Sequence, residues 1–440
     1  MSVVDPKKVF HAFSKEPLRQ DQMASLYISF DELRGNNDTV HRLAATIRSS
    51  KESTTQILCG HRGSGKSTEL IKLKQELEAK SPKYFVVYCE SDEDIDRNDV
   101  DFPEVLIGVV RQLASQLQER EQISLKPGYF QTRIEALLTK LGASIALDKF
   151  DIGASFFKLS GTIKNSPTAR AEVRKLMEPD TNNLLVAANE LIGEATLLLS
   201  KKGYSGLVIL FDDLDKMVVR PMSEGRHSTD EHLFINRSPQ MTGFTCHMVY
   251  TMPLSLAYSC HHQALKNFYS DRLPVVPMIK VRTPPPNSTS HKPGIDAMRS
   301  MVITRLTSIN LASREVFESD EVCDELIRLS GGQPSELMGL IRESLIADGL
   351  PIKDSSLKRI RREMPRDFRR QLRREHWALL EQYRVDGQYV AERDQEKIFS
   401  DLLESRALLQ YVNDSEWYGI NPFVEMLTPP TGLTTNVSNP

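Results

Sequence analysis

The chain has 440 residues, with 56 basic against 59 acidic side chains, 40% hydrophobic residues and 26% charged ones. That length exceeds what one compact core serves, so about two to four domains are expected. The near balance of charge excludes any argument from overall charge for nucleic acid or an anionic membrane, and leaves such a case to local patches.

Met1-Ser2-Val3-Val4-Asp5-Pro6-Lys7-Lys8 lacks the apolar core of a signal peptide, and no uncharged apolar stretch approaches bilayer-spanning length. Cys59, Cys89, Cys246, Cys260 and Cys323 are scattered, without a Cys-x-x-Cys pair. Neither a zinc site nor a disulfide framework follows, and a cytoplasmic protein without a membrane partner is expected.

Residues 1 to 50 form an N-terminal segment in which Phe30-Asp31-Glu32-Leu33-Arg34-Gly35 leads into a helical pattern through Val40, Leu43, Ala44 and Ile47, with Asp38 or Thr39 as cap. The apolar run Gln56-Ile57-Leu58-Cys59 then predicts a strand. It feeds a complete P-loop, Gly60-His61-Arg62-Gly63-Ser64-Gly65-Lys66-Ser67, continued by Thr68. The glycines let successive backbone N–H groups turn inward around phosphate oxygens, and the following helix adds the positive end of its dipole. Lys66 would reach the β and γ phosphates, and the Ser67 hydroxyl would help hold Mg²⁺. Leu70, Leu73 and Leu77 fall on one face of that helix.

Lys83 to Cys89 reads as a buried strand, followed by the acidic run Ser91 to Asp96, a solvated loop or a metal-holding one. Helical periodicity covers 103 to 120 and 128 to 141, and the pattern between about 147 and 165 predicts a β-hairpin. A long helix is expected from about 181 to 202. Leu207-Val208-Ile209-Leu210-Phe211-Asp212-Asp213-Leu214-Asp215 is an apolar run ending in acids, the form of a Walker B strand. Such a strand delivers carboxylates to the sheet edge where ligands bind. Asp212 would hold Mg²⁺ through water and Asp213 would polarise the attacking water. Thr245 to Tyr250 predicts another strand, ending at Thr251, and Pro274 to Val281 a last one. Pro284 to Ser290 is a linker by composition.

A helical lid is expected from 296 to 352. Within it, Leu329-Ser330-Gly331-Gly332-Gln333 matches the signature peptide of ABC transporter ATPases. That family places it just before Walker B, whereas here it follows by more than a hundred residues. Gly331 and Gly332 instead end one helix in a left-handed turn, and Pro334 opens the next. From 355 to 428, a helix, a second helix and a hairpin suggest a winged helix, and 429 to 440 a disordered tail. Phe368, Leu372, Trp377, Leu380 and Tyr383 approximate one helix face. Lys358 to Arg374 is rich in base, but the helix before the wing, Asp394 to Arg406, carries more acid than base. Base readout of DNA from it is not expected.

In this motif order the chain resembles the bacterial STAND and AAA+ ATPases, with an origin-recognition-like core. The resemblance implies an α/β P-loop fold with an additional strand between the Walker A and Walker B strands, a core over 51 to 283 with an insertion at about 103 to 202, a helical lid and a C-terminal winged helix. It further implies that ATP and Mg²⁺ are bound, that Arg34 and Gly35 contact adenine, that Thr251 senses the γ-phosphate and that the helix opened by Pro334 faces the nucleotide. Arg237 and Arg272 are candidates for an arginine finger acting on a neighbouring copy. What is implied overall is a slow ATPase that switches self-assembly or protein binding. The alternatives are a DNA-binding initiator or transposition regulator, and a nucleotide-binding pseudo-ATPase.

Overall fold

The computed structural model describes residues 4–35, 38–125, 152–222 and 227–430. The expected α/β fold is present. Four parallel strands, β1 (Thr55–Cys59), β2 (Tyr84–Glu90), β3 (Gly206–Asp212) and β4 (His247–Met252), lie in the order β1-β4-β3-β2, so β4 separates the P-loop strand from the acidic one. Pro274 to Val281 does not form a full strand: it touches β1 through one bridge, Cys59 to Val275, with Val276 N–H donating to the Cys59 carbonyl. Pro274 and Pro277 have no N–H to give, which limits a ladder there.

The continuous apolar runs follow from burial on both sheet faces. Val208 and Leu210 of β3 pack with Leu58 on one side, where α2 (Thr39–Ser49) supplies Val40, Leu43 and Ile47, and α3 (Lys66–Ala79) supplies Leu70, Leu73 and Leu77. Leu207, Ile209 and Phe211 face the other side, against α4 (Phe102–Glu121). Each such side chain stabilises the fold by about 1.5–3 kcal/mol relative to exposure.

Within the described residues, the expected hairpin is a helix from Ile152 on. α5 (Ile152–Asn165) is followed by α6 (Pro167–Met177) and α7 (Thr181–Ser200). Ile152, Phe156, Leu159 and Ile163 recur at helical spacing, and the burial of Leu159 and Ile163 rewards that period over the strand propensity of the aromatics. The expected helix at 128 to 141 lies outside the described residues, as does the tail beyond 430. The acidic run after β2 is not a solvated loop: Asp92 pairs with Arg97, Glu93 and Asp94 with Arg111, and Asp96 with Arg170.

Helices α8 (Lys292–Ser308), α9 (Asp320–Leu329) and α10 (Pro334–Asp348) pack around Met298, Val302, Leu326, Ile327, Leu337 and Ile341, and the N-terminal helix α1 (Pro6–Ala12) joins them through Val9. Gly331 and Gly332 are left-handed, at φ 61° and 77°. A Cβ on Gly332 would lie 1.8 Å from the Ile279 carbonyl oxygen, so only glycine fits that turn.

The C-terminal part comprises α11 (Asp354–Gln371), α12 (Arg374–Val385), α13 (Glu396–Glu404) and an antiparallel hairpin of β5 (Leu408–Val412) and β6 (Glu416–Ile420). Phe368 and Trp377 do not share one helix, because Leu372 and Arg373 are extended and the His376 ring caps the new start, accepting from Arg373 N–H at 3.0 Å.

Candidate nucleotide site

The site forms where β1 and β3 end. The loop from Gly60 to Gly65 curls because Gly60, Gly63 and Gly65 take φ values of 151°, 79° and 106°. Its lysine is turned inward: Lys66 Nζ donates to the carbonyls of Gly60 at 2.8 Å and His61 at 2.9 Å, and pairs with Asp215 at 2.9 Å. Both side chains of that pair are almost wholly buried. A buried ammonium needs such compensation.

Asp212, Asp213 and Asp215 bring their carboxylates within 4.8 Å of one another. Burial, with Asp213 and Asp215 beside it, pushes the Asp212 carboxyl up to about 6, against the pull of hydrogen bonds from Ser67 and Tyr88. The Tyr88 hydroxyl donates to Asp212 at 2.6 Å. Asp213 is a left-handed non-glycine at φ 67°, and its carboxylate is taken by Lys216 at 2.6 Å and Arg97 at 3.2 Å. Ser67 and Asp212 therefore meet as the sequence suggested, while Asp213 is held by cations rather than facing free space. Three crowded carboxylates and an adjacent hydroxyl are the donor set of a hard divalent cation, and Mg²⁺ fits it.

Thr251 is the penultimate residue of β4, opposite Leu58. Its hydroxyl is fully buried and has no hydrogen-bond partner, as does that of Ser64. A cavity of about 160 Å³ in front of the loop is lined by Gly63, Gly65, Lys66, Ser67, Thr68 and Pro334. Ser14 to Pro17 from the N-terminal segment and Arg305 from α8 complete its wall. Arg305 carries no motif in the sequence, and only its place on α8 brings it here; it donates to the Ala12 carbonyl at 2.9 Å.

Arg34 and Gly35 lie against the loop and the hairpin respectively. Arg34 is buried beneath the loop, donating to the Ser64 carbonyl and pairing with Glu69 at 3.2 Å. Gly35, at φ 78°, abuts the hairpin, where a Cβ would fall 2.7 Å from a Val412 methyl. Arg237 is committed within its own chain to Asp101 at 3.0 Å and Glu178 at 2.7 Å, which removes it as a free finger, whereas Arg272 is exposed.

Two distant segments grip the loop from above. Gln333 donates through its side-chain amide to the Arg62 carbonyl at 2.6 Å, and Ser335 N–H to the Gly63 carbonyl at 3.3 Å. From the C-terminal part, Gln410 N–H donates to His61 Nε2 at 3.0 Å, and Glu404 pairs with Arg62 at 2.9 Å. Burial beside Lys66 and Arg406 drives the His61 ring down to about 3, so it is neutral and accepts that bond. Helix α13 thus lies on the core, and the bases of α11 and its neighbourhood are largely matched: Arg359 with Glu343, Arg361 with Glu325, Arg370 with Asp367.

No family model matches the chain, and no curated protein matches its sequence. Among solved structures, it is similar to the Aeropyrum pernix ORC2 protein in ADPNP-ADP complexes, at 11% identity and TM-score 0.44, covering 94% of this chain and 93% of that one. CDC6P from Pyrobaculum aerophilum follows at 11% identity and TM-score 0.38, over 95% and 94%. The A. pernix ORC1 protein in complex with DNA gives 15% identity and TM-score 0.37, over 94% and 92%. TM-scores below 0.5 carry no argument, so function must be read from this chain's own residues.

Proposed function

We propose that this protein is a slow ATPase of the AAA+ class whose bound nucleotide controls how its lid and C-terminal part grip the P-loop, and through them its assembly or a protein partner. The observation that carries this reading is the loop itself: a P-loop at the sheet edge with Lys66 and three carboxylates beyond it, held by Gln333, Glu404 and Gln410 from elements far along the chain.

Bound Mg²⁺ would supply charge neutralisation to the phosphates, with Ser67 and Asp212 as the residues to hold it. Lys66 must leave Asp215 and the loop carbonyls to reach phosphate oxygens, and the backbone N–H groups of Gly63 to Ser67 then face the same anion. Asp213 must shed Lys216 or Arg97 before it orients water, which makes slow turnover the expectation. Thr251 supplies the buried hydroxyl nearest in register to that event. The cavity is smaller than the roughly 300–1,000 Å³ of ligand pockets, so nucleotide entry displaces part of its wall. Ser14 to Pro17 and the lid residues Pro334 and Ser335 are the segments in the way.

Solution mass with ATP, ADP or no nucleotide, together with calorimetric ATP binding and phosphate release, tests this. The comparison is wild type against Lys66→Ala combined with Asp215→Asn, which leaves no unmatched buried charge. Wild type should bind ATP and change mass or partner affinity with nucleotide. Binding unaffected by the double change would sink the site assignment, and a mass and partner affinity constant across all states would sink the switch.

A further inference from the structure

A second cavity, of about 670 Å³, lies between the core and the C-terminal part. Its back wall is a cluster of rings. Tyr383 stacks on Phe399 with centroids 5.8 Å apart, Tyr418 meets Phe399 edge-on at 5.3 Å, and Tyr258 and Tyr389 close the cluster at 6.2 Å from Tyr418 and 5.5 Å from Tyr383. Tyr258 and Tyr389 are only partly buried, so ring surface is presented to the cavity. Three carboxylates, Glu392, Glu396 and Glu416, stand around it against one base, Arg393.

A closed aromatic core would leave neither the space nor the loose polar group found here. The Tyr383 side chain lines the cavity and is fully buried, yet its hydroxyl has no hydrogen-bond partner. An unmade bond of that kind is costly. The surrounding acid disfavours an anion, and the carboxylates argue against a purely apolar guest. Ring faces carry negative potential, which attracts ammonium and guanidinium groups, and carboxylates at the rim add to the same preference.

We propose that this cavity is a binding site for a cationic organic group, an alkylammonium or guanidinium, seated on the rings of Tyr258, Tyr389 and Tyr418 and paired with Glu392 and Glu416. The group comes either from a free small cation or from a lysine or arginine side chain of a partner segment. The exposed apolar side chain of Val390 in its lining gives a partner segment surface to lie on. The site is separate from the P-loop and stands or falls independently of nucleotide binding.

Calorimetry on the full chain tests it with choline, with its uncharged isostere 3,3-dimethyl-1-butanol, and with blocked lysine and arginine, free and within short peptides. Choline or the basic side chains should bind saturably at millimolar concentration, with the uncharged isostere weaker by about tenfold or more. Glu392→Gln with Glu416→Gln, both at exposed positions, should weaken the cation by about tenfold with unchanged melting temperature, and separately Tyr389→Ala should weaken it by about tenfold in a chain that still unfolds cooperatively. Tighter binding of the peptides assigns a partner side chain as source, and tighter binding of free choline assigns a small cation. No saturable binding by any probe, equal binding of the isostere, or wild-type affinity in both variants would overturn the proposal.

Discussion

The two sides of the candidate nucleotide site are held in opposite ways. The P-loop is over-satisfied: Lys66 has three acceptors, and Arg34, Gln333 and Gln410 each fix a loop residue. The end of β3 is crowded instead, with Asp212 pushed up by burial and then by the acids beside it. An anion is thus awaited where the lysine is already engaged by acceptors, and a cation where three carboxylates crowd together. Nucleotide binding must exchange bonds on the first side and relieve repulsion on the second.

Breaking the lysine pair is the strongest test of this contrast. Lys66→Ala leaves Asp215 buried without its partner, beside two other acids, and should destabilise the nucleotide-free fold by about 3–5 kcal/mol. Urea titration should show most of that loss restored by adding Asp215→Asn. Equal stability of Lys66→Ala and wild type would mean that the loop is not held by this pair.

The acidic side should respond in the reverse direction. Because burial raises the folded-state value of Asp212 to about 6, its favourable contribution is complete below its ordinary value near 3.8 and is lost as pH rises through about 6. Asp212→Asn should therefore stabilise the metal-free protein at pH 7.5 by on the order of 2 kcal/mol, with the gain shrinking toward pH 4. It should also weaken Mg²⁺-dependent ATP binding, and in wild type that binding should strengthen as pH rises through 6. Melting curves and calorimetry across that range check the sign.

Loosening the grip from above is a smaller change. Gly35→Ala puts a side chain against Val412 and Asn413 at a left-handed position and should cost about 1–2 kcal/mol. Hydrogen exchange should rise first at Leu408 to Val412; a rise confined to Arg34 and its neighbours would separate hairpin from loop. The smallest effect is expected from neutralising Arg369, Arg370, Arg373 and Arg374, all on the exposed basic stretch: within about 0.5 kcal/mol in stability, and no change in ATP affinity. DNA retention that falls steeply with salt and vanishes in that variant would instead revive the DNA reading.

Legibility in the sequence followed chemistry. Gly60 to Ser67 and Leu207 to Asp213 could be read because phosphate and metal demand fixed residue types at fixed spacing, and the turn at Gly331 to Pro334 because left-handed backbone demands glycine. Asp215 was visible as the third acid of the run that begins at Asp212, but nothing in the pattern said that it would take Lys66. Arg305 and Arg97 carry no motif, and they reach the site by tertiary packing alone. The strand reading of 147 to 165 rested on local propensity, which the burial of Leu159 and Ile163 on a helix overrode within the described part. The ring-lined cavity draws on residues from Tyr258 to Tyr418 and has no local signature.

The bond from Gln410 to His61 joins residues 349 positions apart. On the ribosome the loop emerges early, while its partner strand is not made until most of the chain has followed. For that interval His61 and Arg62 lack their C-terminal contacts, and any nucleotide bound then meets a more open loop than the finished protein offers. Newly made and mature chains should accordingly differ in how readily ATP exchanges, with the last hairpin marking the change.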